Sequence, residues 1–107
     1  MTGSRPALEA GSRQRQIGAP AAWTTSTGTG VVIGIVDSGI DPSHPDLAGK
    51  IDAFADCLGG TCREGPGRDS DGHGTAVAGI AAAKTGNGAG IAGVAPDARL
   101  IVARVLG

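Results

Sequence analysis

The sequence predicts an α/β fold with a parallel sheet flanked by helices, and three segments carry this prediction. Residues 31–36 form an almost unbroken apolar run rich in β-branched side chains, typical of a strand buried on both faces. Residues 100–106 form a second run of this kind. A helix is predicted between them, from His73 to about Lys84, because its apolar residues follow helical spacing. A strand, a helix and a strand in this order indicate a right-handed crossover and two parallel strands.

Length and composition limit the number of domains and the classes of partner that the chain can have. The 107 residues correspond to one small domain or to a piece of a larger one. Trp23 and Phe54 are the only aromatic residues among 107, so aliphatic side chains must form the core. The net charge is −1 and the charges are dispersed, which argues against nucleic-acid binding. No apolar run approaches the roughly 20 residues of a membrane span, so no membrane partner is expected.

The remaining elements follow in chain order. Residues 1–16 are polar and Arg-rich without hydrophobic period, which predicts a flexible arm or a junction, and residues 17–107 are assigned to the domain. A short helix with Pro20 at its first position is expected within 17–23. Residues 51–56 alternate weakly and predict a short strand near an edge, and residues 59–72 predict a loop.

Two cysteines, Cys57 and Cys62, lie close together in that loop region. Glycines between them would allow a small disulfide, which favours an oxidising compartment. Free thiols are the second interpretation. A zinc site is the third, but it would need further ligands, and the chain offers only His44 and His73 as imidazoles.

Two residues form the candidate reactive site. Asp37 directly follows the first predicted strand, and the carboxyl ends of parallel strands are where open α/β sheets bind ligands. His73 opens the predicted helix between two glycines, and its ordinary pKa of about 6.5 suits proton transfer near neutrality. Together they can act as an orienting carboxylate and a general base. The alternatives are a turn-forming aspartate and a structural histidine at a helix start.

Two other patterns fail on their context. Residues 88–93 match the dinucleotide-binding pattern G-x-G-x-x-G, but they follow a helix and do not lie between a strand and a helix. Residues 69–74 resemble the start of an EF-hand loop, but the twelfth position is Ile80 and not the required glutamate. Neither a nucleotide nor an EF-hand calcium ion is therefore expected.

The segments around the candidate pair resemble a known family. The sequence V-D-S-G-I-D at 36–41, with H-P-D-L at 44–47, resembles the aspartate motif of the subtilisin-like serine proteases. The sequence D-G-H-G-T at 71–75 is similar to their histidine motif, and the aspartate precedes the histidine as in subtilisin. The resemblance extends over about residues 16–107. It implies that Asp37 and His73 are the aspartate and the base of a catalytic triad.

This resemblance implies a three-layer parallel sheet flanked by helices, here as an incomplete N-terminal part of the domain. It also implies a serine endopeptidase with polypeptide substrates and a secreted location, although the chain shows no signal peptide. No serine follows Ser70, so the segment with the nucleophile is expected to be missing. The missing C-terminal part is then a possible partner. An inactive fragment or a binding module derived from such a protease is the alternative.

Family resemblance also implies a structural calcium ion, whereas the chemistry itself needs no cofactor. Asp46 and Asn87 match side-chain ligands of such a site. The backbone carbonyls of Lys84, Ala89 and Ile91 are the accompanying ligands. Ligation by oxygen alone suits Ca²⁺. The alternative is a turn-forming asparagine and an exposed aspartate.

Overall fold

A computed structural model describes residues 15–84 and 92–107. From residue 19 onward, the described residues form two helices and four strands, with one 3₁₀ turn. They are α1 (Ala19–Ala22), β1 (Val32–Asp37), β2 (Ile51–Asp56), the 3₁₀ turn Leu58–Gly60, β3 (Arg63–Glu64), α2 (His73–Ala82) and β4 (Arg99–Arg104). The predicted strands and the central helix are confirmed, with ends shifted by one or two residues. The helix ends at Ala82 and not at Lys84, because Ala83 already has extended backbone with ψ of 131°.

The four strands form one sheet in the order β1-β4-β2-β3. β4 pairs in parallel with β1 on one side and with β2 on the other, whereas the two-residue β3 runs antiparallel to β2. The parallel pairing of β1 and β4 confirms the crossover predicted from the sequence. β2 lies next to the short outer strand, as its weak pattern predicted.

The core lies between the sheet and α2. Small alanines of the helix, Ala78 and Ala82, allow it to pack closely on the aliphatic side chains of the strands. The ammonium of Lys50 is buried at the end of α2, where it donates hydrogen bonds to the carbonyls of Ala82 and Pro96. A cation at this position also interacts favourably with the negative end of the helix dipole.

The opposite face of the sheet is exposed in the described part of the chain. We call it the open face; it consists of Val32, Gly34, Val36, Ile101 and Ala103, which are exposed or half-buried. Val36 is 70% exposed, although its neighbours Ile35 and Asp37 are buried. The expectation that β1 is buried on both faces is therefore wrong for these residues, since no described element packs on this side.

Other expectations have mixed outcomes. The predicted short helix α1 is present, but it begins at Ala19, so Pro20 is its second residue and not its first. Trp23, which follows α1, is buried and donates its indole N–H to the carbonyl of Val94 at 2.6 Å. Cys57 and Cys62 form a disulfide, so neither is a free thiol or a zinc ligand. The proposed arm, residues 1–16, lies almost wholly outside the described residues. None of the described helices is long and apolar enough to cross a membrane.

Candidate active site

Asp37 and His73, the two residues singled out in the sequence, meet where β1 ends and α2 begins. The imidazole Nδ1 of His73 lies 2.9 Å from both carboxylate oxygens of Asp37. Asp37 is buried, whereas the side chain of His73 is 68% exposed. Within the described residues the other ring nitrogen, Nε2, has no hydrogen-bond partner. The carboxylate is therefore fixed inside the fold while the imidazole can reach a molecule outside it.

The contact between Asp37 and His73 shifts the pKa of both side chains. The hydrogen bond with His73 lowers the pKa of Asp37, and the backbone N–H of Ser38, 2.6 Å from Oδ1, acts in the same direction. The same hydrogen bond, reinforced by the negative charge of Asp37, raises the pKa of His73 above 6.5. Asp71 and Asp69 add smaller contributions in this direction. The site therefore favours an ionised carboxylate beside an imidazole that accepts a proton readily.

Two backbone segments bring the pair together. The segment that follows β1 is joined to residues 68–72, which we call the pre-helix loop, by a bridge between Gly39 and Asp69. Gly39 has a φ of 111°, and a β-carbon there would lie 1.9 Å from the carbonyl oxygen of Arg68. A β-carbon on Gly74 would lie 2.0 Å from the carbonyl oxygen of Gly39. Both glycines are required because the segments touch through their backbones.

A buried hydroxyl connects the same two segments. Ser38, which is fully buried, donates its hydroxyl hydrogen to Asp69 Oδ1 at 2.7 Å and accepts the backbone N–H of Gly74 at 2.9 Å. Ser38 follows Asp37 and Gly74 follows His73, so this hydrogen bond links the residue after the aspartate to the residue after the histidine. The sequence pattern indicated only a turn at Ser38, and its position beside the aspartate was the one signal for this linking role.

Asp69 organises the start of α2. Its carboxylate accepts hydrogen bonds from the backbone N–H groups of Asp71, Gly72 and Thr75 and from the hydroxyls of Thr75 and Ser38. Burial opposes ionisation of Asp69, but these hydrogen bonds prevail and hold its pKa far below the ordinary value. Sequence reasoning missed this role as well. The available signal was an aspartate shortly before a helix, the usual place of a residue that accepts the unpaired N–H groups of the first turn.

The serines near the pair are not arranged as nucleophiles. Ser38 is buried, and its hydroxyl already donates one hydrogen bond and accepts another. The hydroxyl of Ser70 contacts Arg104 and two carbonyls, and that of Ser43 donates to Asp41 at 2.6 Å. Among the residues that the structure covers, no serine hydroxyl is hydrogen-bonded to His73. The described part of the site therefore contains an imidazole hydrogen-bonded to a carboxylate, and no serine hydroxyl hydrogen-bonded to that imidazole.

The residues expected to hold calcium are only partly covered by the structure. Asp46 is buried, which is at odds with the alternative of an exposed aspartate. The backbone carbonyl of Asp46 accepts the backbone N–H of Lys84 at 2.9 Å, so Asp46 lies beside the segment that directly follows α2. The other expected ligands, Asn87, Ala89 and Ile91, lie outside the described residues. Within 15–84 and 92–107, no three His, Cys, Asp or Glu side chains are grouped as metal ligands.

Comparison with known proteins gives this site a context. Thermitase of Thermoactinomyces vulgaris is 46% identical over 92 residues, which cover 86% of this chain and 32% of thermitase. The calcium-dependent protease of Nostoc sp. (strain PCC 7120 / SAG 25.82 / UTEX 2576) is 46% identical over 87 residues, or 78% of this chain and 12% of that protein. The chain thus spans at most about a third of these relatives.

Solved structures and family models agree with the sequence relatives. A protease of Pseudoalteromonas arctica PAMC 21717 superposes with a TM-score of 0.71 at 36% identity, over 83% of this chain and 33% of the other. The model of the subtilase family, Peptidase_S8, matches residues 28–107, which include both motifs and all four strands. The resemblance and the fold class inferred from the sequence are therefore confirmed, and the chain belongs to the subtilase family.

Proposed function

We propose that Asp37 and His73 are the carboxylate and general base of a serine endopeptidase site. The observation that carries this proposal is the contact of both Asp37 oxygens with His73 Nδ1 at 2.9 Å. Asp37 would fix the tautomer in which Nδ1 carries the hydrogen, and would stabilise the imidazolium that forms during reaction. The exposed Nε2 would take the proton of a serine hydroxyl as it attacks a peptide carbonyl, and would then return it to the leaving amine.

The serine and the oxyanion donor must come from a segment other than the one described. No serine follows Ser70 in the sequence, and members of this family place the serine after the histidine. We therefore propose that the 107-residue chain by itself does not hydrolyse peptides. Its partners would be a polypeptide substrate and the part of the domain that supplies the nucleophile.

A chimera tests the proposed roles. Residues 16–107 would replace the corresponding part of thermitase, and hydrolysis of a peptide p-nitroanilide would be measured. We expect activity in the chimera and a loss on the order of 10³-fold or more on His73→Ala. Asp37→Asn should cause a loss of similar order, because it favours the wrong tautomer. A chimera that cleaves equally well without His73 would contradict the proposal.

The chain without the thermitase segment tests the alternative, an inactive fragment or binding module. The same substrate is expected to show no hydrolysis above background. Hydrolysis that disappears on His73→Ala would show instead that this chain carries its own nucleophile. The absence of a serine hydroxyl bonded to His73 among the described residues favours the inactive outcome for the isolated chain.

A structural calcium site is a second part of the proposal. Asp46 would contribute a buried carboxylate, with Asn87 and the carbonyls of Lys84, Ala89 and Ile91 as further oxygen ligands. The ion would stabilise the fold and take no part in proton transfer. We expect CaCl₂, but not MgCl₂, to stabilise the chain by about 2.7 kcal/mol at a hundred times the Kd. This stabilisation would be measured as an increase in melting temperature on addition of CaCl₂. Asp46→Asn should abolish the increase; an undiminished increase would exclude Asp46 as a ligand.

We also propose a secreted location. Its structural support is the Cys57–Cys62 disulfide, because such bonds persist in oxidising compartments. Alkylation of free thiols in protein taken directly from the source culture would test it. Labelling of both cysteines would contradict the proposal.

A further inference from the structure

Arg104, the last residue of β4, lies beneath the candidate site. It pairs in register with Asp37 on one neighbouring strand and with Asp56 on the other. Its side chain is only 8% exposed, so its guanidinium is a buried positive charge that needs close partners. These partners are Asp56, whose Oδ2 accepts from Nη1 at 2.7 Å, and Ser70, whose hydroxyl oxygen accepts from Nε at 3.1 Å.

Ser70 makes this contact relevant to the site. It lies in the pre-helix loop, three residues before His73, and both its N–H and its hydroxyl lie 3.4 Å from the carbonyl oxygen of Ser38. The planar guanidinium, with donors fixed relative to one another, therefore spans from β2 to the loop that leads into α2. The Cδ of Arg104 also lies directly under Gly39, 3.1 Å from where a β-carbon would be.

We propose that Arg104 is a positioning residue for the candidate active site. Through Ser70 it fixes the pre-helix loop against the end of β1, and thereby holds His73 in contact with Asp37. This inference rests on the proposed function of that pair. Arg104 itself does not touch either member by a hydrogen bond, so it would act only through the loop.

A second arginine of the same strand provides a matched control. Arg99, at the other end of β4, donates to Asp52 of β2 at 2.6 Å, as Arg104 donates to Asp56. The Arg99 side chain is 48% exposed and lies far along the strand from the site. Replacing either arginine by glutamine removes one ion pair between β4 and β2, but only Arg104→Gln also removes a hydrogen bond to the pre-helix loop.

The pKa of His73 is the readout, measured by NMR titration of the histidine Cε1–H signals in the 107-residue chain. His44→Gln assigns the two signals. Loss of positioning weakens the contact with Asp37 and lowers the pKa of His73 towards 6.5. Loss of a nearby positive charge alone would raise it, because cations disfavour the imidazolium. The sign of the change therefore separates positioning from direct electrostatics.

We expect the pKa of His73 to fall in Arg104→Gln and to stay at the parent value in Arg99→Gln. An unchanged or raised pKa in Arg104→Gln would overturn the inference. If that variant does not fold, Ser70→Ala is the second test. It removes the acceptor of Arg104 Nε together with the contacts of the Ser70 hydroxyl to the carbonyls of Ser38 and Leu106, and it leaves the ion pair with Asp56. The same fall is expected, and a pKa of His73 that does not fall would overturn the inference. A parent pKa that is not above 6.5 would instead contradict the Asp37–His73 pair, and with it the proposed function.

Discussion

Replacement of Gly74 by alanine tests whether the close backbone contact holds the site together. A β-carbon there would lie 2.0 Å from the carbonyl oxygen of Gly39, about 1.4 Å short of an ordinary contact of 3.4 Å. Gly74 is helical, so alanine is compatible with its backbone, and the only penalty is this collision. Since the partner is a backbone atom, α2 must move away from β1.

Gly79 of the same helix supplies the control, because a β-carbon there meets nothing within 4 Å. Alanine improves helix propensity by about 1 kcal/mol at both positions, so this gain cancels in the comparison. What is left is the cost of overpacking, about 1–3 kcal/mol. We therefore expect Gly74→Ala to be less stable than Gly79→Ala by that amount.

Urea unfolding monitored by circular dichroism and by the fluorescence of Trp23 would measure both variants. Gly79→Ala should unfold at a higher urea concentration than the parent, and Gly74→Ala at a lower concentration than Gly79→Ala. Equal stability of the two variants would refute the close contact and the account of how β1 and α2 are joined.

Three further predictions concern charged groups. The folded pKa of His73 lies above 6.5 and that of Asp37 below 3.8, so their mutual stabilisation is complete between about pH 4 and 6.5. This stabilisation is lost as the pH rises through the folded pKa of His73 or falls through that of Asp37. The difference in melting temperature between the parent and Asp37→Asn should therefore become smaller both above and below this pH range. Asp69→Asn should destabilise the chain by about 1–3 kcal/mol in urea unfolding, because an amide cannot accept all five hydrogen bonds; no loss would argue against its role at the start of α2. Burial lowers the pKa of Lys50 to about 8, so the folded chain releases this proton before the unfolded chain does, and stability should increase from pH 8 to 10. Lys50→Met should abolish this increase, which the melting temperature across that range would show.

Three of the four described strands, α2 and the candidate residues Asp37 and His73 could be predicted from the sequence, because each depends on local pattern. The two residues of β3 lie within the stretch 59–72 that was predicted as a loop. The β-branched run that ends in Asp37 and the glycine-flanked His73 are visible without any tertiary information. The pairing of Ser38 with Asp69 and of Arg104 with Ser70 was not reached, because each joins residues more than thirty positions apart. Only the fold brings these partners together.

The exposure of the open face could not be predicted from the sequence. The apolar run at 31–36 correctly predicted a parallel strand, but burial depends on which elements cover the sheet and not on the strand itself. Val36 has the side chain of a buried strand and is 70% exposed in the described chain. Hydrophobic pattern therefore indicated what this surface is suited to contact, and not what contacts it here.

The position of β4 in the sheet has a consequence for synthesis. It is the last of the four described strands in sequence order, yet it lies between β1 and β2 and is the only described strand with which β1 pairs. At about 5–20 residues per second, a ribosome would leave β1 without its neighbour for on the order of ten seconds. Unpaired strand edges associate with other chains during such intervals. The nascent chain should thus depend on chaperones until β4 has emerged.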